Sequence, residues 1–127
     1  MDLSADEWAD RLTAEEFAVL RLEETEPPFS SPLDDFWEVG MYHCAACGNR
    51  AYSSEHKYDS GTGWPSFWRP VSDRAIGTKT EIAIILPVLE VHCARCGGHF
   101  GHIFKDGPEP TGQRHCLNGL ALDFVAA

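Results

Sequence analysis

Five cysteines give this sequence its clearest means of doing chemistry, and spacing divides them into two classes. Cys44-Ala45-Ala46-Cys47-Gly48 and Cys93-Ala94-Arg95-Cys96-Gly97 are two CxxCG knuckles. Two residues between the cysteines let both thiolates turn towards one point, and the following glycine permits a tight turn whose backbone approaches sulfur. A pair of such hooks makes a closed tetrahedral site, with no position left for a substrate. Cys44, Cys47, Cys93 and Cys96 are therefore expected to hold one structural Zn2+. The competing readings are four reduced, buried thiols or two disulfides.

Cys116 has no CxxC partner. It lies in Gln113-Arg114-His115-Cys116-Leu117-Asn118, and on a strand Arg114, Cys116 and Asn118 share one face, with Leu120, Leu122 and Phe124 further along. A cation beside a thiol favours the thiolate, the nucleophilic form. His99 and His102 flank Phe100-Gly101. Their odd separation sends them to opposite faces of a regular strand, but a bulge or bend at Gly101 brings both imidazoles to one pocket, where they can donate protons. Taken alone, a lone strand cysteine is more often a small core residue, and a lone histidine pair more often hydrogen-bonded filler. Gly61-Thr62-Gly63-Trp64-Pro65-Ser66-Phe67-Trp68 is an aromatic-rich turn that either caps the core or walls a pocket for a thioether-like group.

These groups need a scaffold. Ser4-Ala5-Asp6-Glu7 and Thr13-Ala14-Glu15-Glu16 read as capping boxes of two short helices, with Trp8 and Leu12 on one face of the first and Phe17, Leu20 and the Arg21 stem on a face of the second. Pro27-Pro28 ends the helical region. Beyond it, apolar stretches alternate with turn residues at Phe36–Tyr42, Ala51–Ser53, Ile82–Val91, Phe100–Phe104 and Leu117–Val125, the spacing of a mainly β, mostly antiparallel structure. Pro87 inside the third run implies a break, a bulge or an edge strand. All 127 residues fit one domain, with 1–30 as a helical N-terminal segment packed on the β core.

The net charge of −10 disfavours nucleic acid and anionic membrane surfaces, whose affinity for proteins comes largely from Lys and Arg. No apolar run is long enough to cross a bilayer, and the acidic N-terminus lacks the basic and apolar regions of a signal peptide. The expectation is a cytoplasmic protein whose cysteines stay reduced, with a monomer as the default.

Several segments in order resemble the B-type methionine sulfoxide reductases: Thr25-Glu26-Pro27-Pro28-Phe29-Ser30, the first knuckle, Lys57-Tyr58-Asp59-Ser60-Gly61-Thr62-Gly63-Trp64-Pro65-Ser66-Phe67, the run from Cys93 to Pro108, and Pro110 to Asn118. The resemblance implies two antiparallel sheets, tent- or sandwich-like, clamped by zinc opposite the active site. It implies reduction of the R epimer of methionine sulfoxide in oxidised proteins and peptides. Cys116 would attack the sulfoxide sulfur, and His99 and His102 would position and protonate the departing oxygen. Trp64 and Phe124 would hold the methyl group, while Arg114 and Asn118 polarise or orient the site. Cys116 would end as a sulfenic acid.

Many relatives carry a resolving cysteine where this chain has Thr62, and a hydroxyl forms no disulfide. The resemblance therefore implies a one-cysteine enzyme recycled by thioredoxin or another external thiol. His115 stands where Tyr is more usual, and Gly119 where Ser is. Two rival readings are a non-catalytic zinc-clamped binding module, which has no need of Cys116 with His99 and His102, and a glutathione-adduct lyase, which wants cysteines near an open metal.

Overall fold

The computed structural model describes the backbone of residues 2–83 and 86–127, and the side chains of these outside 82–87. Helices α1 (Ala5–Arg11) and α2 (Ala14–Leu22) open the chain. Ser4 and Thr13 cap them, each hydroxyl accepting from the amide three residues on, while Glu7 and Glu16 reach back to the capping amides. α2 stops where Glu23 turns left-handed, at φ 59°. Trp8, Leu12, Val19 and Leu20 are buried in the same core as Tyr42, Phe67 and Phe100, so the helices complete the interior of the sheets. Arg21 joins helix to knuckle, its guanidinium donating to the Cys96 carbonyl at 3.0 Å and lying 4.7 Å from the Trp8 ring centre. No described helix is long and apolar enough to cross a membrane.

Nine strands follow among the described residues: β1 (Gly40–Cys44), β2 (Arg50–Ser53), β3 (Lys57–Tyr58), β4 (Ser66–Phe67), β5 (Ile76–Ala83), β6 (Leu86–Cys93), β7 (His99–Phe104), β8 (Arg114–Leu117) and β9 (Leu122–Ala126). They form a three-stranded sheet, β2-β1-β9, and a six-stranded sheet, β3-β4-β8-β7-β6-β5. All pairings are antiparallel. The two antiparallel sheets with two short helices are the expected fold class.

Three expected runs are divided differently. The strand expected from Phe36 begins at Gly40, because the carbonyls of Asp34 and Phe36 both accept from the Lys57 ammonium. The run expected over Leu117–Val125 is split by a 3-10 turn at Gly119–Ala121, where the chain leaves one sheet for the other. The Ile82–Val91 run divides between β5 and β6. Pro87 pairs with Ile82 of β5 but lies beyond the reach of β7, which meets β6 from Leu89 onward, so its missing amide costs no central ladder bond. Residues 84 and 85, in the unusually apolar part of that run, lie outside the described residues.

The pairing of β6 with β7 carries the irregularity that matters for the site. Val91 faces Gly101 and His92 faces His99, so Phe100 is an extra residue on β7. A side chain at Gly101 would run into the Cys116 carbonyl, so β8 can approach only a glycine there.

Candidate active site and metal centre

Each knuckle follows a strand, and the strands belong to different sheets: Cys44 ends β1 and Cys93 ends β6. The two turns repeat one design. Gly48 and Gly97 have φ of +79° and +76°, and their amides donate back to the carbonyls of Cys44 and Cys93 at 2.8 and 2.9 Å. The four sulfurs lie within 4.8 Å of one another. The Cys44–Cys96 and Cys47–Cys93 separations of 3.7 and 3.6 Å are too long for disulfides and match the edge, about 3.8 Å, of a tetrahedron with metal–sulfur bonds of about 2.3 Å. The Gly98 amide and the Asn49 side-chain amide add N–H···S contacts to Cys96 and Cys93. The donor set suits a closed zinc site bracing one sheet against the other.

Cys116 stands apart from this cluster. Register pairs Tyr58 with Ser66, Ser66 with Cys116, Cys116 with His102, His102 with Glu90, and Glu90 with Lys79. Residues directly opposite one another share a face, so the thiol lies in a lateral row between Ser66 and His102. Along β8, Arg114 and Cys116 are half-buried while His115 and Leu117 are buried, which is the expected alternation.

Cys116, His102, Trp64, Arg114 and Asn118 line a cavity of about 310 Å³, together with Thr62 and Phe104. Its size suits a small side chain. Phe124 is not among its walls. That ring packs against Phe36 and Tyr42, at 4.7 and 5.1 Å between centres, because the 3-10 turn resets the alternation counted from Cys116. Phe104 supplies the second aromatic wall. His115 and Gly119 also lie off the cavity. The Tyr52 hydroxyl bonds His115 Nδ1 at 2.8 Å, and Gly119 is held close to Ser31.

The bulge brings the His99 and His102 rings within 5.4 Å of each other, but of the two only His102 lines the cavity. They differ in setting. His102 lines the cavity and bonds Glu81 through Nε2 at 3.2 Å. His99 is buried behind it, its Nδ1 donating to Glu90 at 2.8 Å, and its Nε2 makes no hydrogen bond among the described residues. Glu90 also accepts from His92 Nδ1 at 2.8 Å. Burial pushes the Glu90 carboxyl up, but the hydrogen bonds and charges of His99 and His92 outweigh it and hold the group below its ordinary range. His92, which flanks the second knuckle, is thus part of the bracket behind His99.

Arg114 donates twice to Asp106, at 2.9 and 3.1 Å, and its guanidinium carbon lies 4.3 Å from the Phe104 ring centre. Its charge is therefore shared. Burial pushes the Cys116 thiol up, and Arg114 and Thr62 pull the other way without overcoming it. Arg114 thus favours the anion as expected, but burial outweighs it, so the thiol must lose its proton to react. Asn118 is spent on the framework, accepting from the Glu26 amide at 2.9 Å and donating to the Phe100 carbonyl at 3.0 Å.

The SelR domain profile matches residues 12–126. A peptide methionine sulfoxide reductase MsrB of Thioalkalivibrio sulfidiphilus is 52% identical over 118 residues, 93% of this chain and 86% of the relative. The chain belongs to the MsrB family. An MsrB of Methanosarcina mazei is 46% identical over 98% of this chain and 89% of its own length, and one of Pseudomonas aeruginosa 42% over 98% and 95%. Residues without a sequence motif of their own support the site: Glu90, Glu81 and Asp106 bond directly to His99, His102 and Arg114, while Glu26 holds the walls. Glu81 and Glu90 are set in place by strand register, and Asp106 and Glu26 by loops, so local motifs do not reveal these contacts.

Proposed function

We propose that this protein reduces the R epimer of methionine sulfoxide in proteins and peptides, with Cys116 as the nucleophile. One observation carries the reading: the thiol outside the four-sulfur cluster lies in a cavity beside Trp64 and the imidazole of His102. The sulfoxide methyl group suits the apolar wall formed by Trp64 and Phe104, where sulfur–aromatic contact is favourable. Cys116, once deprotonated, attacks the sulfoxide sulfur. His102, supported by His99, protonates the oxygen. Oxygen passes to the cysteine sulfur, giving methionine and a Cys116 sulfenic acid. The substrate sulfur is reduced by two electrons and the cysteine sulfur oxidised by two.

Zinc at Cys44, Cys47, Cys93 and Cys96 has a structural role in this reading. Those sulfurs are committed to one cluster and Thr62 lies beside Cys116, so the sulfenic acid is resolved by an external thiol. The first thiol forms a mixed disulfide and releases water, and a second restores Cys116 and leaves as disulfide. Thioredoxin in the cytosol is the reductant we favour, acting on a monomer. The test is incubation of the zinc-loaded protein and its Cys116→Ser variant with separate R and S peptide sulfoxides and dithiothreitol. Turnover of R alone by the wild type, lost in the variant, is expected. Equal turnover by both proteins would falsify the mechanism.

A further inference from the structure

We propose that the hydroxyls of Thr62, Ser60 and Ser66 form a directional hydrogen-bond chain that governs the ionisation of Cys116, with Thr62 as a catalytic residue and Ser60 as a positioning residue that competes with the sulfur for the one hydroxyl proton of Thr62. The inference rests on Cys116 being the reacting thiol. Thr62 and Cys116 line the same cavity, where the Thr62 hydroxyl favours the Cys116 anion. Behind Thr62, its Oγ1 lies 2.8 Å from Ser60 Oγ, which lies 2.7 Å from Ser66 Oγ. Ser66 is buried, and its hydroxyl donates to the Trp64 carbonyl at 3.0 Å.

Each hydroxyl has a single proton, and this fixes the direction of the chain. The Ser66 proton is used on Trp64, so the 2.7 Å contact requires Ser60 to donate to Ser66. The Ser60 proton is then used as well, and the 2.8 Å contact requires Thr62 to donate to Ser60. At rest the proton of Thr62 is therefore committed to Ser60, and what Thr62 offers Cys116 is a lone pair, which suits the thiol. After the sulfur loses its proton to water, Thr62 can turn its O–H to the anion and form a stronger, charge-assisted bond. That turn breaks the contact with Ser60. Ser60 thus opposes the thiolate and Thr62 can support it, so removing the two hydroxyls has opposite effects.

The other groups acting on the sulfur are Arg114 on β8, Asp106 in the preceding loop, Tyr58 on β3 and His102 on β7. All of them are retained when Ser60 is changed.

The test is the pH dependence of Cys116 alkylation by iodoacetamide, followed by mass spectrometry on the zinc-loaded full chain. Ser60→Ala should lower the apparent pKa, so that alkylation at pH 7 accelerates roughly three- to tenfold, since rate follows the thiolate fraction. Thr62→Val should slow it by a comparable factor, and Thr62→Ser should restore the wild-type profile. Equal shifts in the same direction, or no acceleration in Ser60→Ala, would overturn the proposal. If Thr62→Val does not fold by circular dichroism, the Ser60→Ala comparison decides alone. Turnover of the R sulfoxide is measured in parallel. Intact turnover with the wrong alkylation pattern rejects the hydroxyl chain only, whereas a wild type without turnover rejects the reductase reading.

Discussion

The indole N–H of Trp64 donates to the backbone carbonyl of Glu26 at 3.0 Å. The amide of the same residue donates to Asn118, so two walls of the Cys116 cavity hang on one peptide segment. The Glu26 side chain anchors that segment by accepting from the Leu120 amide at 2.9 Å. Glu26→Ala should therefore loosen both walls. We expect KM for a peptide sulfoxide to rise about tenfold, with a smaller change in kcat, equivalent to roughly 1.4 kcal/mol. Trp64→Phe, which leaves the Glu26 carbonyl without its donor, should move KM in the same direction. An unchanged KM in Glu26→Ala would show that the anchor does not reach the pocket.

The two histidines should separate kinetically. His102 lines the cavity whereas His99 is buried against Glu90. His102→Asn should lower kcat about 100-fold or more, the scale of a lost general acid, while Cys116 still alkylates. Glu90→Gln should cost less, acting only through the orientation of His99. Near-normal kcat in His102→Asn would transfer the proton-donor role to His99.

Metal removal should unfasten the sheets. Titration with a mercurial should release one zinc per chain, and Cys44→Ser should cost about 3 kcal/mol or more, lowering Tm by roughly 10 °C or more. A folded, active protein free of zinc by elemental analysis would exclude the clamp.

His115 makes acid stability predictable. Burial lowers its pKa to about 4, so the folded protein holds the imidazole neutral. Tyr52 remains a phenol, because burial drives its pKa well up, and it donates to Nδ1; the Nε2–H then donates to the Gln113 side-chain oxygen at 3.0 Å. An unfolded histidine takes up its proton near pH 6.5. The contribution is thus complete above that pH and is lost as pH falls towards 4, by about 3 kcal/mol. His115→Phe loses this part of the pH dependence, so its stability difference from wild type should narrow in chemical denaturation between pH 6.5 and 4. A constant difference across that window would contradict the assignment.

The knuckles, the capping boxes and the common face of Arg114 and Cys116 were legible because each is set by a few neighbouring residues. Phe124 lies off the cavity because the turn that starts at Gly119 interrupts the alternation of β8. That turn depends on Glu26, 94 residues from its partner Leu120. Glu90 was invisible for a related reason: only the pairing of β6 with β7 sets it beside His99. The balance at Cys116 is not legible in local sequence, because burial of the thiol, which outweighs the pull of Arg114, is a property of the folded chain.

Phe100 shows what a surplus residue can accomplish. Its ring fills the interior, with none of its surface left to solvent, while its backbone makes the odd spacing of two imidazoles equivalent to an even one. Deleting it would both hollow the core and aim one imidazole the wrong way. The length of this strand is therefore as constrained as its chemistry, and a shortened chain could keep every reactive side chain yet have no means of assembling them.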